Sequence, residues 1–339
     1  MHDPAAMRLA LATLLAGCAV QHAPVGIDPA ESGGGDGKAD GGSSALPDVR
    51  CSDAPDAGPA AGFDHWKSNL VADLGDPVHR GLDLVASADA DDQLIEGDAS
   101  YGPTDKALED EQVDLFACKE GAWQPLGSVR TDGEGHFALA LSGDARLSIG
   151  LRDMYASIAG DRTGARFVAY VAPANSELAV SDVDGTLTSS ENAYAGDIVL
   201  GLGVDAQPGA AAAFSRLAHA GYQPVYVTAR ARVFTASTRA WLADQHFPRG
   251  PVRLSPGVVL PGGATQQYKS DTLAALQAAD LAIAIGNGNR ATDVAAYQSA
   301  GVPADRITMK LPEYTDELQP LLDAGAAIGF SAYDAYPIP

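Results

Sequence analysis

Residues 177–188, ELAVSDVDGTLT, constrain the fold more than any other stretch: an apolar run ends in two carboxylates, Asp182 and Asp184, and breaks at Gly185. A short apolar run bounded by a turn signal reads as a buried strand, and an open α/β sheet binds its ligands at the carboxyl ends of such strands. Taken alone, Asp-Gly reads equally well as a solvated turn or hairpin. The downstream pattern decides between them. Apolar strands at 178–182, 223–228, 281–286 and 306–310 alternate with helical stretches at 210–220, 234–247, 268–278 and 292–300, with an extended VRLSP piece at 252–256. That alternation is the signature of a parallel sheet with crossover helices. Asp182 with Asp184, Thr228 with Arg230, and the 287–293 loop then fall at successive strand ends facing one crevice.

The chain has 339 residues, enough for about two domains. Its net charge of −22 argues against nucleic acid as a partner, because little would neutralise an extended phosphate footprint. Most of that acid lies before residue 177, so the second half is the one that tolerates an anionic substrate, and five of its arginines fall between Arg230 and Arg253. Cys18, Cys51 and Cys118 fit no metal cluster.

The first 18 residues read as an export signal: Met7-Arg8, a short apolar core, then small residues up to Cys18. The signal reads better from Met7 than from Met1, and its apolar run is too short to span a bilayer. Leu15-Ala16-Gly17-Cys18 resembles the lipobox of bacterial lipoproteins, which implies acylation of Cys18 and a lipid-anchored protein of the cell envelope, periplasmic or outer-membrane. Export leaves two states open for Cys51 and Cys118, a disulfide or two independent thiols. Residues 19–62, rich in Gly, Ala, Ser, Pro and Asp, are expected to be a disordered tether, with a root-mean-square span of about 35 Å. Residues 63–174 read as a β-sandwich, with strands at 113–118, 126–129, 136–141, 146–151 and 165–172, a hairpin turn at 131–135, and an acidic loop at 89–111. No catalytic constellation is visible there, which leaves a structural or docking role.

Residues 175–339 resemble the haloacid dehalogenase superfamily, and within it the catalytic domain of lipins and the C-terminal domain of membrane-associated phosphatidylinositol transfer proteins. SDVDGTLT (181–188), GYQPVYVTAR (221–230), AWLADQHFPRGPVRLSP (240–256), YKSDTL (268–273) and GNRATDVAAYQSAGVPADRI (288–307) carry the resemblance, in the family's order, over about 150 residues. It implies an α/β fold: a capless Rossmann-like domain with a parallel sheet, preceded here by the sandwich and the tether. Asp182 would be the nucleophile that forms an aspartyl phosphate, and Asp184 the acid that protonates the leaving oxygen and later activates water. Mg²⁺ would be held by Asp182, the Asp184 carbonyl, Asp293 and Asn289. Thr228 and Lys269 match the residues that hydrogen-bond and neutralise the phosphoryl group, and Gly185, Thr186, Ala229 and Arg230 surround the substrate. The intervals 189–209 and 231–268 are too short for a cap domain, which suits a phosphate on a large substrate such as a membrane phospholipid. The expected protein is therefore a monomeric phosphatase of phosphatidate, held at the membrane through Cys18. Two other readings stay open: a non-catalytic module that binds phosphatidate or phosphoinositide, and a capless phosphatase for soluble phosphomonoesters.

Overall fold

The computed structural model describes residues 46–189, 204–257, 259 and 262–338. The expected export signal, Cys18 and the expected tether up to residue 45 lie outside the described residues. From Ser43 to the C-terminus the chain is one compact unit, in which a sandwich lobe and a parallel-sheet lobe share a core.

The described residues begin inside the stretch that composition reads as a tether. Strand β1 (Asp48–Val49) pairs in parallel with a sandwich strand at Leu151 and Arg152. Cys51 is buried and joined to Cys118 in a disulfide with Cα atoms 5.8 Å apart, which settles the choice left open above. Trp123 Nε1 donates to the Asp53 carbonyl, and Arg166 donates to those of Ser52 and Asp53. The tether boundary at 62 is thus corrected: residues 46–62 are tied to the sandwich by main-chain acceptors, which composition does not reveal.

A short helix, α1 (Ser68–Ala72), leads into strands β2 (Arg80–Leu82), β3 (Leu84–Ser87), β4 (Asp92–Asp98), β5 (Ser100–Tyr101), β6 (Lys106–Ala107), β7 (Gln112–Lys119), β8 (Ala122–Arg130), β9 (His136–Ser142), β10 (Gly150–Ile158) and β11 (Gly164–Ala172). One sheet has the order β3-β11-β10-β7-β8 with β1 on β10, and β2-β4-β9 form the facing sheet. Ile95, Leu115, Phe137, Met154 and Phe167 are buried in the core between them. Two expectations are corrected here. The acidic stretch 89–111 is not a loop, since it contains β4, β5 and β6. The 131–135 turn is no hairpin, since β8 and β9 belong to different sheets and the turn carries the chain from one to the other. The strand expected at 146–151 starts only at Gly150 and runs on to Ile158.

The second lobe follows the expected alternation: β12 (Glu177–Ser181), α2 (Ala210–His219), β13 (Gln223–Ala231), α3 (Thr235–Asp244), β14 (Val252–Ser255), α4 (Gly263–Ala278), β15 (Ala282–Gly288), α5 (Ala291–Ser299), β16 (Ile307–Lys310), α6 (Thr315–Asp323) and β17 (Ile328–Phe330). All pairings are parallel, in the order β14-β13-β12-β15-β16-β17. The chain winds outward from β12 through β13 to β14, then crosses back to β15 on the other side of β12. The order reverses at β12, which is where such sheets open a ligand crevice. Val85, Val168 and Tyr170 of the sandwich lobe join Val180, Val227, Leu273 and Leu276 in one buried cluster, so the sheet that presents the site rests on the sandwich.

Candidate active site

Strand β12 ends at Ser181, and its ladder is continued by the Asp182 amide, which donates to the Asn287 carbonyl at 2.9 Å. Asp182 is thereby fixed at the carboxyl end of the sheet, where the strand order reverses. The chain then turns: Gly185 has φ +71°, in the left-handed region that favours glycine, and its N–H donates to Thr188 Oγ1 at 2.8 Å. The turn carries Asp184 to the same end of the sheet from a different direction.

The two carboxylates sit in different surroundings. The Asp182 side chain is 6% exposed; its Oδ1 accepts from Lys269 Nζ at 2.7 Å and its Oδ2 from Thr186 Oγ1 at 3.0 Å. The Asp184 side chain is 21% exposed and faces β13: Thr228 Oγ1 donates to it at 2.8 Å, and Arg230 clamps it with Nε at 3.0 Å and Nη2 at 2.6 Å. Arg230, expected beside the substrate, is thus turned onto Asp184 and onto Thr238 Oγ1 at 3.0 Å. Thr186, also expected to meet substrate, is buried and spends its hydroxyl on Asp182. Ala229 lies where the pairing of β13 with β14 is interrupted, between Thr228 and Ala231.

Lys269 reaches in from α4 and donates to both Asp182 and Asp293. Asp293, in the first turn of α5, accepts the main-chain N–H groups of Asn289 and Arg290 at 3.1 and 3.0 Å. Burial pushes the Asp182 carboxyl up to about 7, with the Asp293 and Asp184 charges adding to the shift and Lys269 opposing it. Burial alone would lower the Lys269 amine, but Asp182 and Asp293 outweigh it and hold it above its usual value. Asn289 carries the least settled group of the site: both its amide nitrogen and its amide oxygen are buried and have no hydrogen-bond partner. A buried amide left unpaired costs free energy, and the same residue's main-chain N–H is held by Asp293.

Sequence reasoning missed the supports behind these residues. Asn287 donates to Ser181 Oγ at 3.0 Å and to Tyr333 Oη at 3.1 Å. Tyr333 in turn donates to the Thr186 carbonyl at 2.9 Å, and Tyr297 to the Asn287 carbonyl at 2.9 Å. Tyr297 stands inside the GNRATDVAAYQSAG block and could have been flagged there. Tyr333 comes from a turn near the C-terminus, with no local signal.

A parallel sheet whose order reverses at a strand ending in Asp-X-Asp-Gly-Thr, with a buried lysine between two acids, is the arrangement expected of a haloacid dehalogenase-type domain. Residues 179–309 match the family "PITM 1-3, LNS2 domain", and 77–171 match "PITM 1-3, beta-sandwich domain", and the second lobe is similar in sequence to phosphatidate phosphatases. The first match contains every residue of the site from Asp182 to Asp293. Membrane-associated phosphatidylinositol transfer protein 3 of Mus musculus is 26% identical over 264 residues, covering 76% of this chain and 26% of that protein. Phosphatidic acid phosphohydrolase 1 of Saccharomyces cerevisiae is 29% identical over 157 residues, covering 38% and 18%. Phosphatidate phosphatase LPIN2 of Homo sapiens is 31% identical over 150 residues, covering 39% and 16%. The chain spans about a quarter or less of the length of these relatives.

Proposed function

We propose that this chain is a phosphatase of lipid phosphate monoesters, with phosphatidate as substrate and diacylglycerol as product. The observation that carries the reading is the pair Asp182 and Asp184 at the end of β12, the first held by Lys269 and Thr186 and the second by Thr228 and Arg230. An Asp182 oxygen attacks phosphorus, and the bond from phosphorus to the glycerol oxygen breaks. Asp184 supplies the proton that the leaving oxygen needs. Water, deprotonated by Asp184, then attacks the aspartyl phosphate and restores Asp182 with release of phosphate. Lys269 offsets the charge that gathers on the phosphoryl oxygens. Different surroundings for the two acids are what different roles require.

Among the described residues no three His, Cys, Asp or Glu side chains form a metal-holding group by themselves. Mg²⁺ does not need that many, because it is commonly held by one or two carboxylates with substrate phosphate and water. Asp182 and Asp293, brought together on Lys269, would hold it with the Asp184 carbonyl and the unpartnered amide oxygen of Asn289, an all-oxygen donor set of the kind it takes. The cation would neutralise the phosphoryl group and orient it toward Asp182. Export and acylation of Cys18 would keep the crevice at a bilayer surface, where such substrates reside.

The Arg230 clamp favours a second reading, a module that binds phosphatidate without turnover, since a guanidinium already occupies both Asp184 oxygens. Phosphate release from detergent-dispersed phosphatidate separates the two. Release with Mg²⁺ that is lost with EDTA, and reduced at least 1,000-fold in Asp182→Asn, is the expected result. Binding to phosphatidate vesicles without any release would establish the second reading instead.

A further inference from the structure

Away from the crevice, a cavity of about 660 Å³ opens where the two lobes meet. Leu82, Leu84 and Leu94 line it from the sandwich side, and Leu254 and Ala275 from the other. A cavity of this size with a largely apolar lining and a few polar groups is what small-molecule sites look like. Its polar groups are poorly provided for. Arg253 donates to the Asp83 main-chain carbonyl and, among the described residues, forms no ion pair. The Asp83 carboxylate is taken by Arg239 and by the Val252 N–H. Burial pushes the Arg253 guanidinium below the usual arginine value, with Asp83 opposing the shift. The Tyr268 hydroxyl is buried without a hydrogen-bond partner, and burial pushes it up to about 12. Arg253 and Tyr268 both line the cavity, on the side of the parallel-sheet lobe. A guanidinium with no carboxylate in direct contact and a buried phenol without a hydrogen-bond partner carry a cost that an acceptor would remove.

We propose that this cavity is a second ligand site, for a single-chain carboxylate amphiphile such as a fatty-acid anion. The apolar walls take the chain, and the two carboxylate oxygens accept from the Arg253 guanidinium and the Tyr268 hydroxyl. A carboxylate fits better than a phosphate because Asp92, Glu96 and Asp271 also line the cavity, and a dianionic head would meet twice the repulsion. The site does not depend on phosphatase chemistry, and none of its residues contacts Asp182.

The test is calorimetric titration of the intact protein with dodecanoate, dodecylphosphonate and dodecanol. Dodecanoate is expected to bind one to one, at least tenfold more tightly than either of the others. Arg253→Gln and Tyr268→Phe should each weaken it at least tenfold. Ala275→Trp, which fills the cavity and leaves both polar groups in place, should abolish it, and keeps the test open if Arg253→Gln fails to fold. Asp182→Asn should leave it unchanged. Absence of dodecanoate binding, equal binding of dodecanol, tighter binding of the phosphonate, or a loss in Asp182→Asn equal to that in Arg253→Gln would each overturn the proposal.

Discussion

At the scale of single residues, the structure sets titratable groups by the company they keep, and His79 shows this as clearly as the active-site acids. Its Nδ1 accepts the Ser100 N–H at 3.1 Å and its Nε2 lies 2.8 Å from Thr163 Oγ1, so a proton added at Nδ1 would face a donor. Burial lowers the imidazole to about 4, with Arg80 adding to the shift and Asp161 opposing it. The unfolded imidazole takes its proton near pH 6.5 and the folded one only near 4. Acidification through that window therefore favours the unfolded chain. The contribution is fully present above about pH 6.5 and is lost as pH falls toward 4, by on the order of 3 kcal/mol. Urea unfolding at stepped pH should show this loss in the wild type and a flatter profile in His79→Asn; identical slopes would contradict it. Asp182, raised rather than lowered, acts in the opposite sense over part of the same window, so the comparison must be made in the Asp182→Asn background.

At the scale of elements, β15 and α5 form the unit that presents Asn289 and Asp293, and they meet at a glycine. A Cβ on Gly286 would lie 2.4 Å from the Tyr297 ring, far inside contact distance. Gly286→Ala should cost about 1–3 kcal/mol, read as a fall in Tm, and should lower activity by shifting the Asn289 loop; an unchanged Tm would show that α5 packs differently. The strands of this lobe were legible because both of their faces are covered and their apolar runs are nearly continuous. β4 was not. Its inward positions hold Gln93, Ile95 and Gly97 while Leu94 is 48% exposed, so the apolar period is inverted. Gln93 is tolerated inside because its amide both donates to and accepts from the Leu147 main chain. Helix α6 was hidden by Pro320 in its interior, and β17 by its brevity. In the site, Asp182, Asp184, Thr228, Lys269 and Asp293 were legible as a motif set. The inward turn of Arg230 was not, since only the fold shows that Asp184 lies within its reach.

At the scale of the whole molecule, several carboxylates join the lobes, and one of them is a residue that composition gives no reason to notice. Asp83 is buried on the sandwich side, accepts the Val168 and Val252 N–H groups from both lobes, and pairs with Arg239 on α3. Asp83→Ala leaves those donors and a guanidinium without an acceptor, and should cost about 3–5 kcal/mol. Limited proteolysis should then cut the 173–176 connection faster; equal cutting rates would mean that the shared apolar core and the Arg249 and Arg232 ion pairs hold the lobes together without Asp83. Everything proposed about catalysis depends on an ester forming at residue 182, and that can be observed directly. Asp184→Asn retains the nucleophile but cannot activate the second water, so incubation with para-nitrophenyl phosphate, whose leaving group needs no proton, followed by acid quench and peptide mass spectrometry, should show one phosphoryl group on Asp182 that hydroxylamine removes. A phosphoryl group found on another residue, or none on any peptide while para-nitrophenol is released, would contradict the account.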